Sequence, residues 1–315
     1  MTVSLRAQPL RAAVRERVRS SKRLYDACYE LVRHGDIANA IPALTELTGH
    51  SAYVSDARQL LSVCNQLRRS RLLEETVNVS ELLRDLHSVD REEIDAKGPE
   101  SVFIRPVDDS DETLVVFVTS GTVLWISISL LHHHLRRYPI NLVYVQGEFG
   151  SFHMAGLNSL GSDYPSCVAG LRQVLDQLGT PLNYCIGGSS SGYAALRFGL
   201  DLKATAVMSF SGPTTIDPAQ LDPSRRHCID QLVSTAPEMA VDLVPLYQSA
   251  DLRPRTVLCY GTKHRWDPRH ANRMVCVDGV QLYPIDGYAD HDTLAYFLIN
   301  GKFDHMFDVL RGLGQ

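Results

Sequence analysis

Between Leu182 and Leu200 the chain reads LNYCIGGSSSGYAALRFGL, and its small residues are spaced as a hydroxyl nucleophile needs them. An apolar run (Tyr184, Cys185, Ile186) stops at Gly187 and Gly188. Three serines and Gly192 come next, and Tyr193-Ala-Ala-Leu-Arg-Phe opens a helical pattern. A serine on a sharp turn between strand and helix has its hydroxyl lifted clear of the sheet, as attack on a carbonyl requires. Two serines compete for this place. Gly188-Ser189-Ser190-Ser191-Gly192 satisfies G-x-S-x-G around Ser190. Starting at Gly187 instead makes Ser189 the nucleophile, with Ser191 where glycine is usual. Packing favours Ser189, because the strand then ends at the first glycine, and Gly192 and Ala195 fall where the new helix passes close to the sheet. The Ser190 register puts bulky Tyr193 at that contact. A plain glycine-rich turn or a phosphate cradle is the competing interpretation. The stretch lacks G-x-G-x-x-G, however, and Tyr193 stands where a P-loop needs lysine.

A serine hydroxyl needs a base to take its proton, and the base needs a third group to fix its tautomer. The elements that must position them begin near residue 100, where strand-like runs alternate with helical stretches. Strands are predicted at 101–105, 113–119, 141–146, 182–186, 204–211, 256–261 and 280–285, and helices at about 124–138, 163–178, 192–200 and 228–248. Runs such as LVVFV and AVMSF are apolar throughout, as strands covered on both faces must be. The expected fold is α/β, a doubly wound, mostly parallel sheet. Residues 212–255 are too long for a plain connection and carry Pro213, Pro218 and Pro223, so they are expected to form a cap or lid.

In such a sheet the acid and the histidine belong on loops after later strands, in the order Ser, Asp/Glu, His. Asp267 comes after run 256–261 and His291 after run 280–285. Asp217, after run 204–211, is the alternative acid. His264, His270 and His305 are rival bases, the first two too early in the chain and the third in a terminal helix. His264-x-x-Asp267-x-x-His270 has the look of a metal motif without a fixed period, and His132, His133 and His134 point about 100° apart on a helix, so no metal or other cofactor is expected. Asp290 and Asp292 flank His291 too closely in sequence to reach its ring. Glu148, Phe152 and His153 lie just beyond run 141–146 and are candidates to line a substrate pocket.

On the strand–GGSSSGYAAL–helix corner, Asp267 and His291, the region from about 100 to 315 resembles the α/β-hydrolase superfamily. The resemblance implies an oxyanion hole of two backbone N–H groups, one from Ser190 and one from Ser120 in the turn after run 113–119. It also implies a serine hydrolase acting on an ester or thioester, with a small-molecule or carrier-bound acyl group as substrate. An acyltransferase or a lactone-forming enzyme would use the same residues. The third alternative is a non-catalytic scaffold, which would not need three reactive groups on the correct loops. Ser191 and the absence of a His-Gly-Gly-Gly motif depart from the superfamily's usual pattern.

The first 95 residues read differently. Leu24, Ala27, Cys28, Leu31 and Val32 form a helical stripe. Asp36 is placed to cap a second segment through Ile37, Ile41, Leu44 and Leu47, with Pro42 expected to kink it or delay its start. Val54, Ala57, Leu61 and Cys64 make a third stripe, and Ser80 caps a fourth. One stretch is weakly tetratricopeptide-like, but no second copy accompanies it. The expected organisation is a helical region over 1–95 and a catalytic domain over 96–315. The helical N-terminus offers a surface for a protein partner or dimer contact.

Composition narrows the rest. Hydrophobic residues make up 44% and charged residues 21%, ordinary for a globular chain, and the net charge of −5 argues against a nucleic-acid partner. Arg6, Arg11, Arg15, Arg17, Arg19, Lys22 and Arg23 face only Glu16, a pattern shared by transit peptides and membrane-surface helices, but with a thin apolar face and no apolar signal core a solvated helix is expected. No run suggests a membrane span. Seven widely spaced cysteines without C-x-x-C fit a reducing cytoplasm better than a disulfide framework.

Overall fold

The computed structural model describes residues 20–32, 36–48, four positions between 57 and 64, and 101–313 apart from 120–121, 124–125, 148–150, 222–225 and 236. The chain divides into two compact units, Met1–Ser88 and Val89–Gln315.

In the first unit, helix α1 spans 20–32 and helix α2 spans Ile37–Leu47. Ile37, Ala40, Leu44 and Leu47 are buried at helical spacing. Asp36 occupies the N-cap position, but its carboxylate accepts from the Asn39 side chain (2.9 Å) and not from a backbone N–H. Pro42 neither delays nor ends α2. It sits exposed inside the helix. In the third stripe Ala57 and Cys64 are fully buried, while Leu61 is only half-buried and its neighbour Leu60, outside the stripe, is fully buried in its place. Val54 and the segment expected to be capped by Ser80 lie outside the described residues, and the described positions at 57, 60, 61 and 64 are helical like α1 and α2.

The second unit is built on a nine-stranded sheet with the path β1-β5-β2-β6-β7-β8-β9. These strands are β1 (Val102–Arg105), β2 (Glu112–Thr119), β5 (Asn141–Gly147), β6 (Leu182–Gly188), β7 (Ala206–Phe210), β8 (Arg255–Gly261) and β9 (Val280–Ile285). All the pairings from β5 to β9 are parallel, and on this path only edge strand β1 runs antiparallel. A short hairpin, β3 (Thr122–Val123) and β4 (Ile126–Ser127), leaves the end of β2. It takes up residues expected to start a helix, so α3 begins only at Ile128 and ends at Leu135. β7 is buried at every position and β2 along its middle six, because helices cover both faces. The strand order and these crossovers define a doubly wound, mostly parallel sheet of the α/β-hydrolase type.

Strand order fixes where a ligand belongs. From β2 the chain moves outward to β5, then returns past β2 to lay down β6 on its other side. A crevice opens at the carboxyl ends of strands where the winding reverses, here between β2 and β6. Register brings those ends level, since Gly188 pairs with Phe210 and Gly261 with Ile285.

The crossover helices are α4 (Tyr164–Leu178), α5 (Ser190–Leu202) and α7 (Leu243–Ser249). α4 starts on a capping box between Asp163 and Ser166. The stretch 228–248, expected as one helix, is divided into α6 (Arg226–Thr235), a short turn at Pro237–Met239 and α7. Pro237 lacks the N–H needed to continue α6. The expected cap over 212–255 is therefore corrected in its last part. Leu243 and Tyr247 are fully buried, and the Tyr247 hydroxyl donates to the Leu196 carbonyl of α5 (2.8 Å), so α7 belongs to the core layer.

Candidate active site

Ser189 is the corner between β6 and α5, held at φ 54° and ψ −125°. Its N–H donates to the Phe210 carbonyl of the next strand (2.9 Å), which fixes the corner to the sheet. The turn is possible because Gly187 has no side chain. A Cβ there would collide with the Ser191 carbonyl, and one on Gly192 would lie 2.6 Å from Ser209 Oγ. Ser190 is the first residue of α5 and so presents its backbone N–H as one of the unpaired donors of a helix start. Ser191 is buried, its hydroxyl 2.6 Å from that of Thr119 at the end of β2. Ser120 lies outside the described residues.

Across the corner stands His291. Its Nε2 is 2.9 Å from Ser189 Oγ, and its Nδ1 is 2.9 and 3.0 Å from the two carboxylate oxygens of Asp267. Asp267 opens α8 (Asp267–Arg273) and is buried. Burial works to raise its carboxyl, but hydrogen bonds from His264 and His291, together with their charge, outweigh this and hold it at about 2. The loop carrying His291 is itself anchored. Tyr288 donates a short hydrogen bond to buried Asp292, and Thr293 shares one with Ser211 (3.0 Å). Asp292 thus binds Tyr288 and not the histidine ring.

Of the other candidates, Asp217 is exposed and closes its own turn, accepting from the Ala219 N–H (2.9 Å) and from Gln220. It makes no hydrogen bond to His291, whose Nδ1 lies on Asp267 instead. His264 turns to Asp267 and not to Ser189. Its Nδ1 lies 2.7 Å from Asp267 Oδ1, and its ring is tilted beside that of His291 at 5.2 Å. His270 is buried behind the site, where Nδ1 accepts from the Thr214 N–H (3.4 Å). Burial pushes it down to about 4, with nearby Asp267 opposing.

The pocket-lining expectation needs correction at His153. Phe152 and His153 both take left-handed backbone, which turns the loop back under the strand ends. His153 has no exposed surface; Nε2 donates to the Val118 carbonyl (3.0 Å) and the ring stands edge-on to Phe117. Burial lowers it to about 4. Phe152 is buried edge-on against Tyr193. Both pack the interior, and Glu148 lies outside the described residues. His132 is occupied by the Tyr144 hydroxyl (2.8 Å), and His305 stacks loosely beside Tyr283. Sequence spacing does not announce the contact of His264 with Asp267 or that of Ser211 with Thr293. Only the paired titratable residues in the loop 262–267 hint at the first.

No family model matches the chain, and no curated protein matches it. Among solved structures it is similar to Thermogutta terrifontis esterase 2, at 18% identity over 67% of this chain and 90% of that one, TM-score 0.47. It is also similar to the capsule O-acetyltransferase of Neisseria meningitidis serogroup A, at 11% identity over 64% and 89%, TM-score 0.48. A third is an alpha-beta serine hydrolase homologue from Coxiella burnetii, at 14% identity over 68% and 91%, TM-score 0.39. The fold assignment stands on the chain's own strand order and not on these likenesses. No described helix is long and apolar enough to cross a membrane.

Proposed function

We propose that the chain is a serine hydrolase that cleaves an ester or thioester through an acyl-enzyme. The single observation that carries this is the strained Ser189 corner with its hydroxyl 2.9 Å from His291 Nε2, whose other nitrogen lies on Asp267. Ser189 Oγ attacks the acyl carbonyl carbon while its proton passes to Nε2. The Ser190 N–H, with that of Ser120 in the role the resemblance implies, stabilises the oxyanion. The C–O or C–S bond then breaks, and the leaving alkoxide or thiolate takes the proton from His291. Water, deprotonated by the same nitrogen, attacks the acyl-serine and releases the acid. Asp267 holds Nδ1–H toward itself, so that Nε2 carries the lone pair. An alcohol or amine in place of water would give acyl transfer with the same residues.

The direct test is labelling with a fluorophosphonate and mass mapping of the adduct. Wild-type protein should carry it on Ser189, Ser189→Ala should carry none, and Ser190→Ala should still label. Adduct on Ser190 would move the nucleophile by one residue, and no adduct on either would remove the hydrolase reading. Product analysis with and without added alcohol then separates hydrolysis from transfer.

A further inference from the structure

The carboxylate of Asp267 is shared by two histidines, and the proposed mechanism uses only one of them. His264 Nδ1 lies 2.7 Å and His291 Nδ1 2.9 Å from the same oxygen, Oδ1. One donor atom from each of the three residues lies within 4.8 Å of the others. The Asp267 N–H also points at His264 Nδ1 (3.2 Å). An Nδ1 that carries hydrogen serves the carboxylate but cannot accept from that N–H. An Nδ1 without hydrogen has one in-plane lone pair, which meets the Asp267 N–H and crowds a carboxylate oxygen to which it has no proton to donate. A cation that took this lone pair in place of the N–H would remove the repulsion between it and the carboxylate oxygen.

The geometry points to an inhibitory site for a borderline divalent cation, zinc above others, formed by His264, Asp267 and His291. Two imidazoles and one carboxylate with an open fourth position suit zinc, whereas magnesium and calcium take oxygen cages. Metal–ligand bonds of roughly 2.0–2.2 Å in a tetrahedral array put donors about 3.4 Å apart, so each histidine must back away from Asp267 by about half an ångström, and the two ring nitrogens, no more than 4.8 Å apart, must come to the same spacing. His264, with 21% of its side chain exposed, is free to make that movement from the solvent side. The consequence for catalysis comes from imidazole chemistry, and it rests on the proposed role of His291. Coordination through Nδ1 leaves the ring's one hydrogen on Nε2, which then donates to Ser189 Oγ and has no lone pair to accept its proton. The cation would stop the reaction without touching Ser189.

Zinc titration by calorimetry, with fluorophosphonate labelling in parallel, tests both halves. Wild-type protein and Ser189→Ala should bind one equivalent with equal affinity, and His264→Gln should bind at least about tenfold more weakly. Zinc should block labelling of wild type, with chelator restoring it, at a concentration that leaves labelling of His264→Gln unaffected. Equal affinity in wild type and His264→Gln overturns the site. Zinc that binds through His264 while labelling proceeds overturns the inhibition. Cobalt substitution in wild-type protein needs no variant: tetrahedral bands without a thiolate charge-transfer band support the site, and a thiolate band overturns it in favour of a cysteine such as exposed Cys276. Should wild-type protein fail to label even without metal, the hydrolase reading falls, while the titration and the cobalt spectrum still decide the site.

Discussion

Ser189 and Ser211 end adjacent parallel strands, β6 and β7, and both hold φ in the left-handed region, at 54° and 51°. Each N–H reaches the last paired residues of the next strand, Ser189 to the Phe210 carbonyl and Ser211 to the Cys259 carbonyl (2.8 Å). In φ and in this hydrogen bond the two corners are alike. The chain beyond them is not. After Ser189 a helix begins at once and the hydroxyl faces His291. After Ser211 the chain continues through Gly212 and Pro213, and the hydroxyl is buried on Thr293, two residues past His291. One corner presents a hydroxyl to His291, and the other holds the loop that carries His291. A strained strand-end serine is thus no signature of chemistry by itself. The group standing opposite decides.

Removing the two hydroxyls gives the largest contrast. Ser189→Ala should lower kcat by about 10⁶-fold, as loss of a serine nucleophile does elsewhere, and abolish fluorophosphonate labelling. Ser211→Ala should keep labelling and lose no more than about tenfold in kcat, because it loosens a positioning contact only. Comparable losses in both variants would end the distinction between a reacting and a supporting serine.

Asp267→Asn should come next, at about 10⁴-fold in kcat with the fold intact, since an amide favours the wrong tautomer of His291. Asp217→Asn should leave kcat unchanged. Steady-state rates decide this, and a severe loss in Asp217→Asn would return the acid to the loop after β7. The double variant Ser189→Ala/Asp267→Asn should be no worse than Ser189→Ala, because groups that act as a unit fail together.

Much of this architecture is legible in the residues alone. The central path strands are readable because strands covered on both faces must be almost wholly apolar, as Leu114–Val118 and, apart from Ser209, Ala206–Phe210 are. Asp267 and His291 stand out by their place after the last two of those runs, and they are the two that the structure hydrogen-bonds in series with Ser189. Other features are hidden because they arise only from three-dimensional proximity. Ser211 reads as an ordinary strand end, and its left-handed backbone and its bond to Thr293 depend on how β8 and α9 (Thr293–Ile299) lie beside it. Tyr247 looks like part of a cap until its hydroxyl meets α5. His153 reads as a pocket residue because sequence places it on a loop and cannot show two successive left-handed residues folding it inward.

The two corners should also part company in acid. His270 and His153 are both held down to about 4 by burial, below an ordinary value of 6.5. Between those limits the unfolded chain binds a proton at each that the folded chain does not. Stability is then fully present above about pH 6.5 and falls by about 1.4 kcal/mol per pH unit per histidine as pH drops toward 4. Asp267, held near 2, stays ionised throughout this window. His270 is tied to the Ser211 side, since its Nδ1 accepts from Thr214 three residues beyond that serine, and protonation would turn this acceptor into a donor facing an N–H. His270→Asn should therefore show a flatter dependence of denaturant midpoint on pH, though it is less stable at pH 7. An unchanged slope would assign the acid sensitivity to other groups.

The smallest effect sharpens the comparison most, because it isolates backbone strain from side-chain chemistry. A non-glycine residue held in left-handed or rarer backbone costs on the order of 1 kcal/mol that glycine does not incur. Ser189→Gly should accordingly be about 1 kcal/mol more stable than Ser189→Ala, although both are inactive. Ser211→Gly should exceed Ser211→Ala by a similar margin, both having lost the contact with Thr293. Comparing glycine with alanine at one position removes the hydroxyl from the difference, and denaturant midpoints at equal slope measure it. A gain at both positions means that the sheet imposes the same strain on both strand ends, and that what sets Ser189 apart is the group opposite it, His291. A gain at Ser189 only would mean that strain is concentrated where the nucleophile sits, and the likeness between the corners would be one of angle and not of energy. Alanine as stable as glycine at both would sink the strain argument for either serine.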